Sequence, residues 1–186
     1  MCNYIIMAII GVGGTLLGTI LGWILNSLSS HGKLRIFVTS WKETFQYNNS
    51  GYMENSRSKR QTEYYWYELK IDLYNSSDEI KIMRDIKIEF LNGKEISFVQ
   101  VPYDDAITKY SSHSYIHYDI GAINIPPKSI IQHKLCNGCN KKDGKLDDIW
   151  KSDRVLLSYI DKKNKKKTVY ISSLDYENYF NQIDSL

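Results

Sequence analysis

Charge of either sign is missing from the first 32 residues; the earliest charged side chain is Lys33. A surface helix of a soluble domain carries a charged face opposite its apolar one, so this stretch does not read as one. Cysteine is scarce and odd in number, at three. That argues against a disulfide framework and agrees with a reducing compartment, where thiols stay free. Proline also numbers three, the first at Pro102. No Lys or Arg precedes Tyr4, and Ala8 is the only alanine before Ala106. A cleaved secretory signal would want a basic start and a small-x-small cleavage site, so a permanent anchor is the better reading. No phosphate loop, G-x-S-x-G or H-E-x-x-H pattern occurs, and no enzyme is expected. The formal charge of +3 is too mild for a nucleic-acid binder.

What fills the uncharged stretch is Tyr4 to Leu25, YIIMAIIGVGGTLLGTILGWIL, 22 residues. As a helix it rises about 33 Å at ~1.5 Å per residue, enough for a hydrocarbon core roughly 30 Å thick. Tyr4 and Trp23 stand near its ends, where amphipathic rings favour the interface. The sequence therefore predicts a single N-terminal transmembrane helix, with residues 1–33 as anchor and polar joint. Lys33, Arg35 and Lys42 follow it and no basic residue precedes it. The positive-inside rule puts the N-terminus outside and the C-terminal domain in the cytosol, at the inner (plasma) membrane of a bacterium.

Helical spacing brings Gly11, Gly14, Gly18 and Gly22 within an arc of about 80°, bordered by Thr15 and Thr19. Small residues at four-residue steps let membrane helices approach closely, and threonine adds hydrogen bonds. A homo-oligomer packed along this face is expected. Glycine is common in membrane helices anyway, which is the plainer explanation.

From Leu34 the period changes from 3.6 to two. Leu34, Ile36 and Val38 alternate with Arg35, Phe37 and Thr39. The strongest strand is Tyr65 to Leu73, with Tyr65, Tyr67, Leu69, Ile71 and Leu73 on one face. Further strands are read from Ile80 to Phe90, with Ile80 and Ile82 on the same face as the later residues. Others run over Ile96–Val101, Ser129–Leu135, Val155–Tyr159 and Thr168–Ser172. Asn92-Gly93 marks a hairpin. Residues 46–63 and the CNGCNKKDGK stretch read as loops, and residues 103–129 show no clean period. Seven or eight short strands with frequent turns predict an all-β domain over residues 34–175. The expected form is an antiparallel β-sandwich, Ig-like in architecture, with a small β-barrel as the alternative. Residues 176–186 read as a tail, helical or frayed.

Three groups of side chains carry candidate chemistry. His133-x-x-Cys136-x-x-Cys139 has the look of part of a metal site, with His113 and His117 as possible completing ligands, but zinc wants four ligands, that pair lies in a different loop, and no second pair stands at finger spacing. Metal and cofactor are not expected. Tyr103, Tyr110, His113, Tyr115, His117 and Tyr118 crowd one segment, a composition suited to a ligand or partner surface. Trp66 and Tyr74, on the polar face of their strand, could extend it. Ordinary half-buried loop packing is the alternative. Lys162 to Lys167 carries five lysines in six residues, either a solvated hairpin tip or a contact for anionic lipid headgroups.

Together these features describe a non-enzymatic membrane protein that self-associates through its helix and binds a protein or small ligand with its β-domain. The layout suits a small bacterial effector that damages the inner membrane in defence or toxin systems. A passive accessory subunit and a nucleotide-binding sensor are the alternatives.

Overall fold

A computed structural model describes residues 2–30, 32–112 and 114–183, with side chains described for 11–27, 32–112 and 114–180. Helix α1 runs Cys2–Ser30, followed by strands β1 (Leu34–Asn49), β2 (Tyr52–Asn55), β3 (Tyr64–Asn75), β4 (Lys81–Asn92) and β5 (Glu95–Gln100). Next come β6 (Tyr103–Asp104), β7 (Lys109–Ser111), β8 (Ser114–Ile116), β9 (Ile123–Ile125) and β10 (Ser129–Asn140). The chain ends with helix α2 (Leu146–Trp150), β11 (Arg154–Ile160), β12 (Lys166–Ser173) and helix α3 (Tyr176–Ile183).

The domain is an antiparallel sandwich of two sheets, not a closed barrel. One sheet has the order β2-β1-β3-β10-β6 and the other β12-β11-β4-β5, with β9 beside the start of β4. The core lies between them. Leu69, Ile71 and Leu73 from β3 join Ile88 and Phe90 from β4 and Val155 and Leu157 from β11, all fully buried. The alternation of Tyr65 to Leu73 thus places one face of β3 inside, as its pattern predicts.

Two irregularities re-aim strands. In β1 the register shifts between Val38 and Ser40. A bulge turns the chain by one residue, so Trp41, Glu43 and Phe45 come to oppose Leu69, Tyr67 and Tyr65. In β4, Asp85 has φ +48°. Met83 is buried before this kink, and Ile86, Ile88 and Phe90 after it. Ile80 and Ile82 therefore do not share the inward face expected of them; Ile80 is exposed.

Residues 46–63 are not simply a loop. β1 continues to Asn49 and folds back through Ser50-Gly51, both at positive φ, into β2. Tyr47 and Asn49 donate to the Glu54 carboxylate at 2.6 and 2.9 Å. Both faces of this hairpin tip are wet, so it carries no apolar alternation to read. Nor is CNGC a loop, since β10 runs through it and pairs with β3 from Ser129 to Asn140. The turn-like Asn-Gly pair is accommodated because Gly138 lies beneath Trp66. A methyl group on Gly138 would meet the Tyr65 carbonyl at 2.2 Å and the Trp66 ring at 2.7 Å.

Helix α3 closes one end of the sandwich. Tyr176 and Phe180 are buried, and Phe45 meets Trp150, Tyr176, Tyr179 and Phe180 with ring centroids 5.0–5.6 Å apart. The packed unit therefore passes the boundary expected at residue 175. At the other end Gly32 sits against the Ser76–Ser77 backbone. There the Lys33 N–H donates to Ser76 Oγ at 2.9 Å and the Ser76 N–H to the Lys33 carbonyl at 3.2 Å.

Candidate functional site

The first candidate is α1. Eight large apolar side chains between Val12 and Leu25 are 40–70% exposed, and they point to most sides of the helix. Methyl groups on Gly11, Gly14, Gly18 or Gly22 would meet nothing within 4 Å. Among the described residues, none thus covers the glycine face. The Thr15 and Thr19 hydroxyls donate, each at 2.8 Å, to the carbonyls of Gly11 and Thr15. They are spent within their own helix as donors and keep only acceptor capacity for a neighbour.

Among the described residues no helix is long and apolar enough to cross a membrane. Residues 11–27, where side chains are described, cover about 25 Å at ~1.5 Å per residue, short of a ~30 Å hydrocarbon core. The first part of the expected span, Tyr4 to Ile10, lies outside the residues whose side chains are described.

The second candidate is aromatic. β6 hydrogen-bonds to the outer edge of β10, setting Tyr103 opposite Cys136. The hairpin of β7 and β8 then returns the chain, and His117 folds onto the sheet. Its ring stacks on Tyr103 (5.1 Å between centroids, 13° between planes) and lies 5.3 Å from Trp66 and 6.2 Å from Tyr115. His117 Nδ1 is 3.3 Å from Thr108 Oγ1. Tyr110 packs on Tyr115 at 5.1 Å, and both remain largely exposed. Four of the expected residues and Trp66 thus meet: Tyr103, Tyr110, Tyr115, His117 and Trp66 form one cluster, while Tyr118 contributes its carbonyl to the Asp104 N–H at 3.0 Å. His113 lies outside the described residues. Tyr74 sits at the far end of β3, opposite Arg35 and Ile130, and does not join.

The third candidate comes apart. Residues three apart on a strand face opposite ways. Cys136 opposes Glu68 on the outer face, whereas Cys139 opposes Tyr65 and His133 opposes Ile71 on the inner one. A Cys-x-x-Cys knuckle cannot close from these positions. Among the described residues, no three His, Cys, Asp or Glu side chains gather as a metal site. Burial pushes both thiols up to about 11, and nearby carboxylates add to it, Asp105 for Cys136 and Asp143 for Cys139. Both are therefore protonated, poorly nucleophilic thiols at neutral pH.

A group not singled out in the sequence is Glu43. Its Oε1 accepts from the Tyr65 hydroxyl at 2.8 Å and the Tyr176 hydroxyl at 2.9 Å. Burial raises its pKa above the usual 4.5, and the hydrogen bonds from Tyr65 and Tyr176 oppose the rise. The signal was there in the spacing: Glu43 stands two residues from both Trp41 and Phe45, a carboxylate on an apolar face.

Fold and sites together define an Ig-like β-sandwich carried behind an apolar helix whose surface the described residues leave bare. Residues 32–172 match the YopI Ig-like domain, and the chain belongs to that family. It is 28% identical over 164 residues to the SPbeta prophage-derived uncharacterized protein YopI of Bacillus subtilis (strain 168), covering 87% of this chain and 92% of the relative. Solved structures with some likeness include the putative ApaA protein of Bordetella pertussis, at 10% identity and TM-score 0.35, covering 77% of this chain and 91% of that one. An uncharacterized beta-sandwich protein of Clostridium difficile 630 gives 11% identity, TM-score 0.33 and the same coverage.

Proposed function

We propose that this chain is a non-enzymatic, single-pass membrane protein whose helix holds copies together in the bacterial plasma membrane. Its N-terminus is outside, and its Ig-like domain faces the cytosol. The observation that carries the reading is the bare apolar surface of α1. Fully burying one large apolar side chain is worth ~1.5–3 kcal/mol, so eight left in water forgo on the order of 10–20 kcal/mol. That matches or exceeds the whole stability of an ordinary domain, about 5–15 kcal/mol. Lipid around the helix and a second glycine face against the first would remove that cost. The exposed Tyr110 and Tyr115 of the β7–β8 hairpin offer a protein partner its contact. A stacked nucleotide is the poorer guest, because the His117 imidazole already fills the slot between Tyr103 and Trp66. Repacking of the helices on partner binding would then breach the bilayer, as a defence or toxin effector does.

The test is induction of the full chain in a bacterial host. Growth arrest with entry of a membrane-impermeant dye is expected, and Gly18→Leu should restore viability. Normal growth with dye excluded, even with neighbouring genes expressed, would refute the effector role. A second reading, a passive accessory subunit, is favoured by the inward-turned Thr15 and Thr19 hydroxyls, which leave identical helices no threonine donors to share. Under it, Gly18→Leu releases a different membrane protein from co-purification and leaves self-association unchanged.

A further inference from the structure

We propose that the end of the domain next to α1 holds a binding cleft for the phosphate of an anionic phospholipid headgroup. The proposal rests on the membrane reading above and adds a lipid specificity to it. The lysine-rich turn between β11 and β12 is only one wall of this cleft. The start of β1 and the start of β4 supply the others. A cleft of about 490 Å³ is lined by Lys33, Lys81, Lys162, Lys163, Lys165 and Lys167. Three segments far apart in sequence thus bring lysines to the lining of one concavity.

Two carboxylates, Asp161 and Glu79, stand against the six lysines, so the cleft keeps a net positive charge. Asp161 also lines the cleft, but its carboxylate accepts the N–H groups of Lys163 and Lys165 at 2.8 and 2.9 Å. Those bonds shape the turn, while the carboxylate keeps its charge and is held below its usual pKa by the two N–H groups and, more weakly, by Lys167 and Lys165. Arg84 fastens the same turn from outside through Asn164 Oδ1 at 2.9 Å. Glu79 pairs with Lys162, and Lys166 turns away to Glu89 at 2.7 Å. Among the described residues, Lys33, Lys81, Lys163, Lys165 and Lys167 make no ion pair. Like charges gathered this way repel one another, and a phosphate among them relieves the repulsion. Lysine serves as a point-charge phosphate binder of this kind.

Position chooses the lipid as the source of the phosphate. Lys33 lies three residues beyond the last residue of α1, Ser30, and Gly32 and Lys33 are pinned to Ser76–Ser77 as described above. The cleft therefore starts within a few residues of the helix end, on the side the positive-inside rule gives to the anionic leaflet. Ile80 and Ile130, both exposed, flank this end and suit the headgroup boundary.

The test is amine-reactive footprinting of the full chain in vesicles, read by mass spectrometry. Vesicles of phosphatidylcholine alone are compared with vesicles containing roughly 30% phosphatidylglycerol. Lys81, Lys163, Lys165 and Lys167 should react about fivefold more slowly with the anionic lipid, and Lys141 and Lys142 at the opposite end should not change. The triple variant Lys163→Glu, Lys165→Glu, Lys167→Glu should lose the protection at Lys81. Equal rates in both vesicles, from protein that resists a carbonate wash, overturn the cleft and leave the membrane reading standing. Protein that washes out overturns both. Protection by inorganic phosphate in phosphatidylcholine vesicles, with none from phosphatidylglycerol, overturns the lipid assignment in favour of a soluble phosphate.

Discussion

Replacing Phe45 by alanine should loosen the end of the sandwich that α3 closes. Phe45 is 2% exposed. Its ring touches Tyr65 from β3, Trp150 from α2, and Tyr176, Tyr179 and Phe180 from α3, with all five centroid distances between 5.0 and 5.6 Å. Phe→Ala in a core costs about 3–5 kcal/mol from lost transfer energy and the cavity left behind. The upper half applies here, because the surrounding rings are rigid and come from three elements that cannot all move inward. For a domain of this size that lowers Tm by roughly 8–20 °C. Urea unfolding of the detergent-solubilised chain, followed by tryptophan emission, measures it through Trp41 and Trp150. Phe180→Ala and the double variant complete a cycle. The two rings share one cluster, so the double variant should be less destabilised than the sum of the singles, by about 0.5–3 kcal/mol. A Phe45→Ala loss under about 1 kcal/mol, or strict additivity with Phe180→Ala, would refute the claim that α3 belongs to the core.

The other expectations concern the polar and close-packed positions. Glu43 has its folded pKa raised above the usual 4.5, chiefly by burial. Its contribution is therefore fully present below that value and lost as pH rises through the folded one. Glu43→Gln keeps an acceptor for Tyr65 and Tyr176, so it should match the native chain near pH 4 and exceed its stability near pH 7. Urea midpoints at the two pH values decide this, and a variant less stable at neutral pH contradicts it. Gly138→Ala should force both the Tyr65 backbone and the Trp66 ring away from β10, at a cost of about 1–3 kcal/mol or more, and the His117 ring resonances should shift with it; unchanged spectra would contradict the stacked cluster. With pKa values of about 11, Cys136 and Cys139 are only about one part in a thousand thiolate at pH 8. They should react with a disulfide reagent only after unfolding, read residue by residue by peptide mapping, and prompt labelling of Cys136 or Cys139 in the native chain would contradict it.

How much of this could be read beforehand follows from how each segment is buried. Where one face is dry and the other wet, as from Tyr65 to Leu73, alternation states the strand and its inward face directly. Where both faces are wet the pattern vanishes, and the β1–β2 hairpin passes for a loop. The end of β10 hides for another reason. Asn137-Gly138 carries turn chemistry, and only the Trp66 ring lying across the glycine shows why a strand needs it there. Bulges at Thr39 and Asp85 shift the inward set by one residue, which reverses the reading of Ile80 and Ile82 and admits Glu43 to the interior. Among the aromatic residues, Tyr103, Tyr110, Tyr115 and His117 could be grouped because they are near in sequence. Their union with Trp66 is tertiary, made by the pairing of β3, β10 and β6. The two cysteines mislead by spacing alone, since three residues bring thiols together in a turn and send them apart on a strand.

The central claim is that copies of α1 meet along their glycine face within the bilayer. Chemical crosslinking of the full chain in phospholipid vesicles, at rising lipid-to-protein ratio, tests it most directly. The native chain should give a ladder of multimers that survives dilution in lipid, and Gly14→Leu with Gly18→Leu should collapse it to monomer. A native chain that stays monomeric, or a ladder the leucines leave unchanged, would contradict the account.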